Sequence, residues 1–246
     1  MKNIIYNESC LDTMARLPDD YSDIVITSPP YNMNLRIRNG KYCSRQITKE
    51  FSTKYNGFSD NLPIDEFYAF HLKVLKELLR VSPLVFYNIQ IVTGSKRAFF
   101  KIIGELSEHL KDIIVWDKGH AQPAMCAGVL NRQSELVLVF EREGSNAISR
   151  AFKTAQFARG GLSDIWKIGR GRKKSKTHGA IFPEELVETI LGNFTEKGAT
   201  VYDPFMGTGT TAVVASCMDR QYIGSELLPE YFHFAGNALN ANIKGP

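Results

Sequence analysis

Cysteine is scarce and scattered: Cys10, Cys43, Cys126 and Cys217 form no CxxC pair in the 246-residue chain. That spacing argues against a structural zinc site and supplies no disulfide framework. The five histidines are equally dispersed, so no metal is expected. No apolar run approaches the roughly 20 residues that span a bilayer, and no charged-then-apolar leader opens the chain. A cytoplasmic location without a membrane partner is the expectation. Internal repeats and low-complexity tracts are lacking too, which removes solenoids and disordered arrays.

What is present is enough apolar material, 43% of residues, to bury a full core in one domain covering residues 1–246. Apolar runs predict strands at 22–27, 84–89, 113–116, 136–140, 199–203 and 221–226. Helical spacing predicts helices at 64–81, 95–106, 184–194, 210–218 and 229–241. Such alternation implies an α/β fold: a mostly parallel twisted sheet with helices on both faces. Two stretches, 33–62 and 144–178, read as irregular, and loops that long inside a domain usually carry function.

The net charge of +4 is modest but unevenly placed. One excess runs through Arg36, Arg38, Lys41, Arg45, Lys49 and Lys54. The other includes Arg150, Lys153, Arg159, Lys167, Arg170, Arg172, Lys173, Lys174 and Lys176. A charge run is usually a solvated surface. Next to candidate sites it also suits the phosphates of a nucleic acid.

Two motifs carry the chemistry. In Asp203-Pro204-Phe205-Met206-Gly207-Thr208-Gly209-Thr210-Thr211, a strand ends at an acid. Glycines then allow a tight turn, and a helix N-terminus follows. Glu226, 19 residues past Gly207, closes the next strand, where an acid accepts the hydroxyls of a ribose. A phosphate-cradling loop would need a lysine that is missing here, and GTGT is not the dinucleotide fingerprint. The other motif, Ser28-Pro29-Pro30-Tyr31-Asn32, follows the apolar run 24–27. Its paired prolines end the strand and hold a rigid loop.

Together these residues resemble the amino-group DNA methyltransferases that use S-adenosylmethionine. The motif order, catalytic loop first and donor loop near the C-terminus, is similar to the beta class. The resemblance implies a Rossmann-like methyltransferase fold with basic recognition loops inserted, at 33–62 and 142–178. It implies donor contacts from Thr27, Ser28, Asp203, Pro204, Phe205, Gly207, Thr208, Gly209, Thr210, Thr211 and Glu226. Lys176 to Glu184 resembles an extra donor-binding segment, bringing in His178 and Phe182. Asn7 to Leu11 resembles the adenine-contacting segment, bringing in Ser9 and Cys10. A homodimer and a companion restriction endonuclease are partner expectations resting on the resemblance.

The implied reaction suits the residues. An exocyclic base amine is a poor nucleophile because its lone pair is delocalised, so acceptors must bias it toward a pyramidal shape. Ser28 Oγ can accept one amine hydrogen while donating to a ring nitrogen, and the Pro29 carbonyl can accept the other. Pro30 stiffens the turn, and Tyr31 would stack on a base flipped from the duplex. No metal is required; the product is S-adenosylhomocysteine. In this family serine at the first loop position accompanies N4 of cytosine, and aspartate N6 of adenine. Ser28 therefore points to cytosine, with adenine the alternative. Arg36, Arg38, Lys41, Arg45, Arg132, Arg150, Arg159, Arg170, Arg172, Lys173 and Lys174 are candidate contacts to double-stranded DNA. Two other function classes stay open: a methyltransferase for RNA or a protein amide, and a silent DNA-binding module.

Overall fold

The computed structural model describes residues 2–33, 35–38, 41–44, 61–121, 127–143, 149, 151–170 and 182–243, with 35–38 and 41–44 described as backbone. Eight strands form one sheet: β1 (Ile4–Tyr6), β2 (Ile24–Thr27), β5 (Leu84–Ile89), β6 (Leu110–Asp117), β7 (Ser134–Glu141), β8 (Ile165–Lys167), β9 (Thr200–Asp203) and β10 (Gln221–Ser225). Their order is β1-β10-β9-β2-β5-β7-β6-β8. All pairings are parallel except those of β7, which runs against β5 and β6. A separate antiparallel hairpin joins β3 (Leu35–Arg38) to β4 (Lys41–Ser44).

Alternation along the strands divides the core. Ile24, Ile26, Phe86, Val137, Val139 and Val201 face the helices α4 (Glu184–Phe194), α5 (Thr210–Cys217) and α6 (Pro229–Ile243). Val25, Val85, Tyr87, Leu138, Tyr202 and Ile223 face α1 (Cys10–Arg16), α2 (Ile64–Val81) and α3 (Lys96–Glu105). Helices thus cover both faces, as expected from the sequence. Central strands β2 and β5 are buried along their whole length, the pattern of strands covered on both sides.

The expected bounds of α2, β5 and α4 are those observed. The two stretches read as irregular contain structure: the β3–β4 hairpin in the first and β8 in the second. Phe152, Phe157 and Leu162 also pack on the core, the two phenylalanines edge-on to Phe194 with ring centroids 5.0 and 5.5 Å away. Much of the stretch expected to be a recognition loop is therefore anchored by apolar burial. No helix among the described residues is long and apolar enough to cross a membrane.

The topology positions the site. From β9 the chain passes through α5 to β10 on one side; from β2 it passes through α2 to β5 on the other. Adjacent parallel strands whose connections diverge leave a crevice beyond their carboxyl ends, where ligands of open α/β sheets bind.

Candidate active site

Thr27 and Asp203 end the two strands that flank this crevice. Asp203 ties the crevice together: Oδ1 accepts from Thr27 Oγ1 at 2.6 Å and from Phe205 N at 3.0 Å, and Oδ2 from Thr211 Oγ1 at 2.7 Å. Burial pushes its carboxyl up to about 6, with those three donors acting in the opposite direction. Asp203, Thr27 and Thr211 thus form the floor that joins β2, β9 and α5.

The turn above this floor divides its glycines by task. Gly209 sits at φ +86, and a Cβ there would lie 2.8 Å from Ala235 Cβ. Gly209 is therefore required for helix packing as well as for its left-handed backbone. Gly207, at φ +55, has no contact shorter than 3.8 Å for an added Cβ, so its bare face is open to a ligand. Thr208 and Thr210 are half-buried beside it, and Pro204 is buried. The α5 N-terminus has no side-chain cap, so its amides and dipole favour negative charge at this turn.

Glu226 follows β10 and faces the same turn. Its Oε2 accepts from Gly207 N and its Oε1 from Leu228 N, each at 2.8 Å. One acceptor position per oxygen is left by this count, which fits the vicinal hydroxyls of a ribose. Burial raises its pKa, while the backbone donors lower it. Asn7 Nδ2 donates to Glu226 O at 2.8 Å, tying the N-terminal segment to this place. Ser9 caps α1, accepting from Leu11 N at 3.3 Å. The Cys10 thiol is buried and burial pushes it up to about 12, so it is an inert core group. Phe205 is half-buried against Phe70. Phe182 is partly buried against the core just before α4. His178 lies outside the described residues.

The loop after β2 makes contacts that the sequence did not announce. Pro29 is buried, Pro30 is half-buried, and Asn32 turns the chain at φ +57. Asn32 Nδ2 anchors that turn on Leu62 O at 2.9 Å and Gly94 O at 3.2 Å. Ser28 Oγ and Tyr31 OH are 2.6 Å apart. Asn88 Nδ2 donates to Tyr31 OH at 2.6 Å and to Glu135 Oε2 at 2.8 Å, and Lys118 Nζ donates to Glu135 Oε1 at 3.0 Å. Asn88, Glu135 and Lys118 come from β5, β7 and the residue after β6, adjacent in the sheet and distant in the chain.

Candidate DNA contacts divide by the end of the sheet they occupy. The β3–β4 hairpin follows the Ser28 loop and carries Arg36, Arg38 and Lys41, with Arg38 opposite Lys41 in register. Arg132 is exposed in the connection from β6 to β7, and Arg170 is exposed after β8; both connections leave from the crevice end. Arg159 lies apart from these. It lines a pocket of about 350 Å³ with Asp112, Asp164 and Phe194, at the amino ends of β6 and β8 and thus opposite Ser28. The reason is that β7, running antiparallel, delivers the chain to that far end before β8 returns it. Arg45, Arg150, Arg172, Lys173 and Lys174 lie outside the described residues.

Comparison with known proteins agrees with this geometry. The structure is similar, with a TM-score of 0.72 and 17% identity, to the PvuII DNA methyltransferase (cytosine-N4-specific), covering 100% of this chain and 94% of that one. It is similar, with a TM-score of 0.66 and 20% identity, to a Thermus thermophilus chain described as a DNA modification methylase and complexed with S-adenosyl-L-methionine, covering 98% and 95%. These likenesses establish a Rossmann-like methyltransferase fold. In sequence the chain is 24% identical over 269 residues to the type II methyltransferase M.BglII of Bacillus subtilis, covering 97% of this chain and 69% of the relative. A family model of the N6/N4 methyltransferases, described as DNA methylase, matches residues 22–237. The chain belongs to this family of DNA methyltransferases, which act on an exocyclic amine, N4 of cytosine or N6 of adenine.

Proposed function

We propose that the chain transfers the methyl group of S-adenosylmethionine to the N4 amine of a cytosine flipped out of duplex DNA at a specific site. The observation that carries this reading is the bond between Thr27 and Asp203, which holds the Ser28 loop beside the Gly207 turn at one crevice. Glu226 would hold the donor's ribose, the open face of Gly207 would admit its chain, and the uncapped α5 N-terminus would favour its carboxylate. The bound donor supplies an electrophilic methyl on sulfonium sulfur.

The protein's part is orientation. Ser28 Oγ and the Pro29 carbonyl would accept the two amine hydrogens, turning the nitrogen lone pair toward the methyl, so that the N–C bond forms as the methyl–sulfur bond breaks and its electron pair stays on sulfur. The amine then loses one proton to water or a loop acceptor. Ser28 supports cytosine over adenine because a neutral hydroxyl replaces the anionic acceptor associated with adenine. Positive charge on the hairpin and on the Arg132 and Arg170 segments supports DNA over a protein amide. The type II name of M.BglII fits a companion restriction endonuclease.

The test is mass spectrometry of nucleosides from duplex DNA of diverse sequence, incubated with the protein and S-adenosylmethionine, with Ser28→Ala as control. N4-methylcytosine is the expected product. N6-methyladenine would retain the mechanism and overturn the base assignment. Neither product, with methylated RNA or peptide instead, would overturn the DNA reading.

A further inference from the structure

Beneath the proposed catalytic loop, a buried polar chain fixes which way each hydroxyl points. Lys118 and Glu135 form an ion pair at 3.0 Å with side chains 2% and 12% exposed, and the carboxylate of such a pair can only accept. Its Oε2 lies 2.8 Å from Asn88 Nδ2 and 3.2 Å from Tyr31 OH. The amide orientation follows: turning Asn88 over would set its carbonyl against the carboxylate. The two hydrogens of Asn88 serve its shortest contacts, Tyr31 OH at 2.6 Å and Glu135, with Ser28 Oγ farther at 3.4 Å.

The single phenol proton of Tyr31 must point at Glu135, because a carboxylate has none to give. The Tyr31 oxygen then accepts from Asn88, and its short contact with Ser28 Oγ at 2.6 Å is satisfied when Ser28 donates. With its one proton directed down to Tyr31, Ser28 presents lone pairs to the crevice.

Building on the DNA methyl-transfer reading, we propose that Glu135, held by Lys118 and Asn88, is a positioning residue that sets the direction of the Ser28 hydroxyl, so that Ser28 meets the target amine as an acceptor only. The bond order persists while the base is bound. Donation from Ser28 to a ring nitrogen, expected from the sequence, is then excluded, since its only proton is engaged below the loop.

Three variants test this. In Glu135→Gln the amide carbonyl turns to Lys118 and its NH2 faces Asn88 and Tyr31. The chain of donors reverses, and the Ser28 proton is driven into the crevice. The expected result is a kcat lower by on the order of a hundredfold, with an unchanged KM for S-adenosylmethionine and unchanged DNA affinity. Removing the cation as well, in Glu135→Gln/Lys118→Met, lets the carbonyl turn back and restores at least a tenfold part of that loss. A role in folding alone gives no such rescue. Tyr31→Phe, a half-buried change that leaves the ion pair intact, should lower kcat similarly. Adding Glu135→Gln to it should lower kcat little further, because both act through one bond.

Wild-type kcat in Glu135→Gln or in Tyr31→Phe, or a Glu135→Gln/Lys118→Met variant no faster than Glu135→Gln, would overturn the proposal. Should Glu135→Gln fail to fold, Tyr31→Phe decides alone. Wild-type protein that methylates no DNA base would instead defeat the function reading on which this rests.

Discussion

Thr27 and Asp203, 176 residues apart in sequence, share a 2.6 Å hydrogen bond at the floor of the crevice. The bond links the strand that leads into the Ser28 loop to the strand that leads into the Gly207 turn, so one buried contact sets the two motifs side by side. Both residues are buried, at 0% and 3% exposure, and a buried carboxylate is costly unless its lone pairs are used.

Thr27→Val keeps the shape and removes this donor. Loss of a hydrogen bond to a buried charged group should destabilise the fold by about 1–3 kcal/mol, read as a lower urea midpoint at unchanged slope. Thr27→Ser should recover most of it. A Thr27→Val protein as stable as wild type would show that Asp203 does not depend on this contact.

The same carboxyl predicts a pH dependence. Burial raises Asp203 to about 6 and also raises Glu226, above their values in the unfolded chain. The folded state then binds more protons than the unfolded one across roughly pH 4 to 6. The contribution of these groups is fully present below that window and is lost as pH rises through about 6. Glu8 and Asp117 are lowered, by Arg16 and by Gln133 respectively, and contribute in the opposite sense at lower pH. Asp203→Asn isolates the effect: its melting temperature relative to wild type should rise as pH goes from 4 to 7. A constant difference would place Asp203 near its ordinary value.

The glycines of the donor turn should separate under mutation. Gly209→Ala forces a Cβ to 2.8 Å from Ala235 at φ +86, so a loss of about 1–3 kcal/mol in stability is expected. Gly207→Ala meets nothing nearer than Phe205 O at 3.8 Å and should cost stability only about 1 kcal/mol for its positive φ. Its added methyl would instead occupy the donor's approach and weaken S-adenosylmethionine binding at least tenfold by calorimetry. Equal cofactor affinity in wild type and Gly207→Ala would move the donor away from this face.

Much of this arrangement was legible because strands β2 and β9 run directly into their motifs, and because α2 and α4 have strong helical spacing. Short elements were not. β1 and β8 have three residues each, too few to show a period, and β8 is recognisable as a strand only by its pairing with β6. The network of Asn88, Glu135 and Lys118 was invisible for a different reason. Each residue is ordinary in its own segment, and they meet only because β7 pairs antiparallel with both β5 and β6. Arg159 shows the same limit in reverse: its charge could be read from the sequence, but its end of the sheet is set by the direction of β7.

That division of the arginines is open to measurement on DNA. Arg132 leaves from the crevice end in the connection between β6 and β7, whereas Arg159 lies with Asp112 and Asp164 at the opposite end. A cation on a phosphate releases counterions when it binds, so its loss weakens binding across all sequences and lowers the dependence of log K on log salt by about one unit. Arg132→Ala should show this in binding titrations between about 50 and 200 mM salt, the range over which such contacts respond strongly. Arg159→Ala should leave both affinity and slope at wild-type values, because a charge at the far end is separated from the duplex by more than the Debye length of roughly 10 Å at these salt concentrations. Reversal of the two results would mean that DNA lies along the β8 edge rather than over the crevice, and that the recognition surface begins before β8 instead of after it.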